Sequence, residues 1–586
     1  GATVRLTIAP GRDGATTRLR VEAAGEPAPS SIALPVRCDA DASFHGFGEQ
    51  YHATDHRGEA FQLFVTEQGI GRIPGTPDPA VQVIGTPHTT YFPMPYWLDA
   101  RGFGVLLHTS RRVDVDLCAA EPPVAWLEVV GPEPVDVTVF HGPGMLDVIR
   151  QLGDEVGRPT PPPDWAFDLW IGSQGGRDAV LTEADALEAA DIPARVLWVQ
   201  DWTGFRSNLG GGSGVQYRWQ ADPQHYPDLA GMIAELHARG YRFLTYVNPF
   251  VDPDLPNHFA DMAAQGLLIM REDGSPYVHF APNGEASHPD LTNPAAREHV
   301  KSFLRVMVRD LGMDGFMADF GEWLPLDARL ADGSDPLALH DLYPLQWHSL
   351  WREVMDEIRP DGDFAVFARS GFTGVHAVAQ IYWVGDQEAT FSPHDGLPTV
   401  VPAMLSLGLS GIPFVTHDVA GFSGGPSTKE LFLRWTELGA FTPIMRTHEG
   451  NRRLENWSWE KDAETTAHFR RFARIHQALG PELRALAAEA AATSAPIVRH
   501  LMLVFPDDPA SRTVSDQYML GESLLVAPVV AAGATTRDVY LPPGRWFDVW
   551  SGAAFEGGGT TRVDAPIGRP PVFSRGADRA DLRGIR

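Results

Sequence analysis

The chain has 586 residues, too many for one ordinary domain, and length alone divides it into about three. Apolar residues make up 44%, with 16 Trp and 30 Phe, which supplies large cores and excludes disorder as the dominant state. The 47 basic against 75 acidic residues leave a net charge of −28, which argues against nucleic acid or an anionic membrane as partner.

Residues 1–158 read as an all-β unit. Short alternating runs such as VRLTIAP, TRLRVEA, AVQVIG and VDVTVFHG are separated by Gly, Pro and Asp turns, the pattern of a β-sandwich. The only cysteines, Cys38 and Cys118, fall here. Their spacing suits neither a metal site nor a redox motif, and two cysteines make no disulfide framework, so a reducing, cytoplasmic setting is expected. No apolar run approaches the roughly 18 residues of a membrane helix.

The proline-rich Arg158–Pro163 marks a boundary, and residues 159–488 change pattern. Eight short apolar runs recur, most of them separated by stretches of helical composition such as LTEADALEAA and PLQWHSLWREVMDEIRP. The runs end on Ser173, Asp201, Asn248, Asp319, Arg369, Asp386, His417–Asp418 and His448. Polar residues at all eight C-terminal ends predict a (β/α)8 barrel with its chemistry on that rim. A doubly wound sheet would gather its contacts at one switch point. Residues 489–586 turn β-rich again, in runs such as SLLVAPVV and RWFDVWSG, and read as a smaller β-domain. The expected class is therefore α/β, a TIM barrel flanked by two β-domains.

Two of the strand-end residues suit one reaction. Asp319 closes the run in DGFMADFGEWLP, and Asp386 closes IYWVGD. They belong to strands 4 and 6, two places apart, so their carboxyls can face each other across a sugar. Glycoside hydrolysis needs such a pair, one to attack the anomeric carbon and one to protonate the leaving oxygen. The bland alternative, a helix-capping or arginine-pairing aspartate, carries less weight for Asp319 than for Asp386 taken alone. Glu322 is either a second acid or an acceptor that orients the site. His417–Asp418, His448 and Asp201 invite a metal, but no zinc-type spacing such as H-E-x-x-H occurs, and recognition of sugar hydroxyls is the better reading; no metal or cofactor is expected. Trp202, Trp323 and Trp383 either fill the core or stack on a sugar face. Gly210–Gly214 lacks the Gly-Lys-Ser/Thr of a phosphate loop and reads as a flexible active-site loop. Asn456-Trp457-Ser458 is a weak glycosylation sequon. Nothing in the sequence specifies an oligomeric state.

The segments DGFMADFGEWLP, WVGDQ, HDVAGF and FTPIMRTHEGN resemble glycoside hydrolase family 31, and within it the sulfoquinovosidases, whose nucleophile segment has this Ala-Asp-Phe-Gly-Glu form. The resemblance extends from about His45, through HGFGEQYHATDHRG and TEQGIGR, to APIGRPPVF. It implies a retaining α-glycosidase acting on a small glycoside, with Asp319 as nucleophile and Asp386 as acid/base. It further implies that Arg369 and His448 contact sugar hydroxyls or orient the carboxyls, and that Gln200 lies near a sulfonate pocket. The chain departs from that pattern where specificity is set. The arginine, tryptophan and tyrosine expected around a sulfonate align with Gly214, Tyr217 and Phe422. A sulfonate leaving water needs charge-assisted donors. Arg206 and Arg218, on the same loop, are the candidates to replace the missing guanidinium. Otherwise the substrate is a neutral α-glucoside or α-xyloside.

Overall fold

The computed structural model describes residues 3–11, 14–67, 85–121, 123–207, 212–255 and 258–586. Gly210 and Gly211 of the expected active-site loop lie outside the described residues.

The N-terminal unit is two antiparallel sheets. One runs, in order across the sheet, Thr3–Pro10, Thr16–Ala24, Val135–His141, Phe103–His108, Pro93–Asp99 and His45–Gly48; the other runs Ser31–Arg37, Val124–Val130, Val113–Asp116 and Ala60–Leu63. Alternation sets the faces: Val113 and Val115 are buried while Asp114 and Asp116 are not. Phe44, Phe47, Phe61, Trp97, Leu107 and Leu127 fill the core.

The same unit corrects one expectation. Cys38 and Cys118 form a disulfide, with Cα atoms 6.4 Å apart across 80 residues of sequence. Cys38 follows the strand Ser31–Arg37, and Cys118 lies two residues past Val113–Asp116. The sheet brings together two ends that sequence spacing does not relate. The argument for a reducing compartment is thereby removed.

Each of the eight apolar runs contains a parallel strand: β1 Leu169–Gly172, β2 Ala194–Trp198, β3 Arg242–Val247, β4 Gly315–Ala318, β5 Ala365–Ala368, β6 Ile381–Trp383, β7 Val415–Thr416 and β8 Arg446–Thr447. The order around the sheet is sequential, and β1 meets β8 at Trp170 and Arg446. Asp418–Val419 continues β7 and pairs with β8, which closes the barrel. Helices cover most of the crossovers, among them Arg177–Ala189, Leu229–Ala238, Tyr343–Ile358 and Lys429–Gly439. Between β5 and β6 there is only the short turn Val375–Ala377. The helix Ala463–Thr493 spans the boundary expected at 488. A six-stranded antiparallel sheet and a two-stranded ribbon follow, around Leu501, Met519, Leu525, Trp546 and Phe573. Among the described residues no helix is long and apolar enough to cross a membrane.

Candidate active site

Asp319 directly follows β4, its backbone N–H bonded to the Val247 carbonyl at 2.8 Å. The chain then reverses at once. Phe320 is left-handed at φ 57°, and Gly321 has φ 116° with Ser370 Oγ 2.7 Å from where a Cβ would stand. Such a turn suits glycine and is costly for phenylalanine, and it holds the carboxyl at the rim. Three groups address that carboxyl. Tyr246 Oη donates to Oδ2 at 2.5 Å, the Phe320 N–H donates to Oδ1 at 2.9 Å, and Arg369 Nε lies 3.2 Å from Oδ1.

Arg369, the first residue after β5, is the hub of the site. Its guanidinium also reaches Asp386 at 3.3 Å, Glu67 at 3.2 Å and Glu322. It lies over the rings of Phe320 and Tyr91, 4.0 and 4.3 Å from their centroids. The two candidate catalytic carboxyls therefore face one guanidinium and line one cavity. Glu67 and Tyr91 come from the N-terminal unit. The segment Phe64–Glu67 is seated on the barrel by Val65, whose N–H donates to Asp341 at 2.8 Å and whose carbonyl meets His340 Nε2 at 2.7 Å. Thr66 N–H donates to the Thr90 carbonyl, and Tyr91 Oη lies 3.5 Å from Asp386 Oδ2.

Four carboxyls share one guanidinium, so they cannot all ionise together. Burial pushes Asp386 up to about 8; Arg369 opposes this, while Asp319, Glu67 and Asp418 add to it. Glu322 is also pushed up to about 8 by burial against Arg369, with Glu67 and Asp319 adding. Burial raises Asp319 as well, but Arg369, the Tyr246 hydroxyl and the Phe320 N–H all pull it back. Three groups stabilise the Asp319 anion against this burial. Asp386, with 27% of its side chain accessible, is the one kept protonated and open to solvent.

Other expected site residues divide. His448 caps the rim after β8: its Nδ1 accepts from the Gly450 N–H at 2.8 Å, which leaves the proton on Nε2, and Phe422 meets its ring edge-on at 4.9 Å. Tyr217 is buried against Phe250 and Phe320, its hydroxyl accepting from the Asn283 N–H at 2.9 Å. Gln200 is half-buried beside β2. Four residues have other employment. Asp201 accepts from the Gly175 N–H at 2.8 Å and meets His225 and Tyr226, both at 2.6 Å, so its carboxylate is engaged in bracing loops. Trp202 is a core residue whose Nε1 donates to the Tyr246 carbonyl. Arg218 donates to the Thr203 carbonyl and pairs with Asp222. His417 is buried, accepting from Trp435 Nε1 at 3.0 Å. Of the other tryptophans, Trp383 is core and Trp323 donates to Glu67 at 3.2 Å. Asn456 is buried and bonded through its amide to Ser427 and Glu449, which rules out the sequon.

Glu67, Tyr91, Tyr246 and Arg446, which pairs with the buried Asp418 at 2.5 Å, are not singled out by the sequence. Tyr246 lies in the β3 run, one residue from its C-terminal end.

The loop after β2 forms a hairpin, Phe205–Ser207 paired with Ser213–Val215, in which Arg206 lies directly opposite Gly214. Cross-strand partners project from the same face, so Arg206 issues beside the place where Gly214 lacks a side chain. That place is taken by Asn283, whose Oδ1 lies 2.2 Å from where a Cβ of Gly214 would stand. The Arg206 guanidinium pairs with Asp252. A cavity of about 450 Å³ flanks the hairpin, lined by Arg206, Arg452 and Arg453 among others.

A parallel barrel with acidic residues gathered at the ends of β4 and β6 around one arginine is the architecture of a glycoside hydrolase. Residues 159–485 match the glycosyl hydrolases family 31 TIM-barrel domain, and residues 494–578 match the glycosyl hydrolase family 31 C-terminal domain. The chain belongs to glycosyl hydrolase family 31. It is 35% identical to a sulfoquinovosidase of Agrobacterium fabrum over 98% of this chain and 88% of that one. It is also 35% identical to a sulfoquinovosidase of Escherichia coli, over 93% of this chain and 81% of the relative. Among solved structures, a GH31 family sulfoquinovosidase from E. rectale in complex with the aza-sugar inhibitor IFGSQ superposes with TM-score 0.94 at 30% identity, covering 99% of this chain and 87% of that one.

Proposed function

We propose that this glycosidase retains anomeric configuration by double displacement and acts on α-sulfoquinovosides or a related C6-modified α-glucoside. The observation that carries the mechanism is the unequal footing of two carboxyls around Arg369: Asp319 has three stabilising partners, while burial pushes Asp386 up to about 8. In the first step Asp319 attacks the anomeric carbon, the bond to the aglycone oxygen breaks, and Asp386 gives that oxygen its proton. In the second, Asp386 takes a proton from water, the water oxygen attacks the anomeric carbon, and Asp319 leaves as carboxylate. Tyr246 fixes the orientation of Asp319, and His448 offers its Nε2–H to a sugar hydroxyl.

Likeness to the sulfoquinovosidases of Agrobacterium fabrum, Escherichia coli and E. rectale supports a sulfonated sugar. So does the position of Arg206, which issues from the hairpin face at Gly214 and lines a cavity with two further arginines. Specific observations favour a second reading, a neutral-sugar α-glucosidase or α-xylosidase: Asp252 already neutralises Arg206, Asn283 fills the space at Gly214, and Phe422 carries no hydroxyl. Nitrophenyl α-sulfoquinovoside and nitrophenyl α-glucoside assayed side by side separate the two. The sulfonate reading predicts a larger kcat/KM for the sulfonated sugar, reduced by Arg206→Ala; equal or better turnover of the glucoside overturns it.

A further inference from the structure

Far in sequence from the catalytic carboxyls, the N-terminal unit gathers His52, His56, Glu59 and His88, whose ligand atoms all lie within 4.8 Å of one another. His52 Nε2 is 3.0 Å and His56 Nδ1 2.7 Å from the Glu59 carboxylate. His88 Nε2 stands at 3.8 Å, turned toward that carboxylate but beyond hydrogen-bond reach. Hydrogen bonding to one carboxylate therefore does not account for the third imidazole. The second nitrogen of His88 is 3.4 Å from Gln50 Oε1, the kind of partner that fixes a ligating ring, and its face stacks on Phe61 at 4.2 Å. Nε2 of the buried His56 has no hydrogen-bond partner. Ligand atoms around a tetrahedral zinc, with arms of about 2.0–2.1 Å, are separated by roughly 3.4 Å, so shifts of no more than about 1.4 Å, inward for the widest pair and outward for the hydrogen-bonded ones, form the shell.

The place of the cluster gives it a purpose. Glu59 immediately precedes the strand Ala60–Leu63, which leads into Glu67; His88 precedes Tyr91 by three residues. We propose that His52, His56, Glu59 and His88 form a structural site for a divalent transition ion of the zinc class, which fastens the two segments that carry Glu67 and Tyr91 to the active site. A three-imidazole, one-carboxylate set closes a four-coordinate shell and leaves no open position for chemistry.

The test uses the full chain, stripped with a chelator, reloaded with Zn2+ alone, desalted and analysed for metal by mass spectrometry. One zinc per chain is expected in the wild type and none above background in His52→Ala/His88→Ala. Zn2+ should raise the thermal midpoint of the wild type by about 5–10 °C and leave the variant unchanged. His88→Gln, at the partly exposed edge, provides a milder variant with zinc retention reduced at least tenfold. Chelation of the wild type should lower kcat/KM and Zn2+ restore it. Zinc retention no greater in the wild type than in the variants, or retention with no thermal shift, overturns the site.

Discussion

The proton on Asp386 gives the account its most exposed consequence. Its carboxyl is pushed up to about 8 by burial and by the charges of Asp319, Glu67 and Asp418, against the pull of Arg369. Since each pH unit is a tenfold ratio, such a group is protonated in roughly nine of ten molecules at pH 7 and roughly one of ten at pH 9. An acid that must begin protonated works below its pKa and fails above it. kcat/KM for an alkyl glycoside, a poor leaving group, should therefore fall along an alkaline limb centred near 8 and then tenfold per unit. Asp386→Asn should lose about 10²–10⁴ of the rate and the limb with it. Glu67→Gln removes one of the charges that hold the proton on Asp386, so its limb should move to lower pH. A limb that persists in Asp386→Asn, or one that does not respond to Glu67→Gln, would refute the reasoning.

Further outcomes follow from other parts of the structure. Arg369→Met leaves four carboxyls around an apolar side chain; stability at pH 7 should drop by about 3–5 kcal/mol, read by denaturant unfolding, and recover in part at acid pH as the carboxyls protonate. Asp341, wholly buried with the Val65 N–H as donor, is pushed up to about 8 by burial. The native state thus binds this proton more tightly than the unfolded chain, and its contribution is complete below the unfolded value near 4 and lost as pH rises to about 8, at up to about 1.4 kcal/mol per unit. Asp341→Asn keeps the acceptor for Val65 and should be more stable than wild type at pH 8 but not at pH 4. The disulfide closes an 80-residue separation, for which loop entropy gives about 4–5 kcal/mol, so Cys38→Ser should lower the unfolding free energy by up to that amount, read by denaturant unfolding, and the wild type should show no free thiol when denatured without reductant.

Much of this was legible in the chain because the signal was local. Each barrel strand is an apolar run that turns polar at its end, and all eight were found. Asp319 and Asp386 stand out for the same reason. Asp201 sends the same signal, but the partners that engage its carboxylate, His225 and Tyr226, arrive from a later loop and no local pattern announces them. Glu67 and Tyr91 reach the site from another domain, so no spacing within the barrel announces them. Arg206 becomes the neighbour of Gly214 only through hairpin pairing. The disulfide and the histidine cluster likewise depend on a sheet that brings distant segments together.

Trapping the glycosyl-enzyme tests the central claim most directly. A fluorinated glycosyl fluoride of the preferred sugar, followed by proteolysis and peptide mass spectrometry, should place a single adduct on the carboxylate of Asp319, retained in Asp386→Asn and lost in Asp319→Asn. An adduct on Glu322 or Asp386, or an inverted sugar as the first product with no adduct at all, would contradict the roles assigned to the two aspartates.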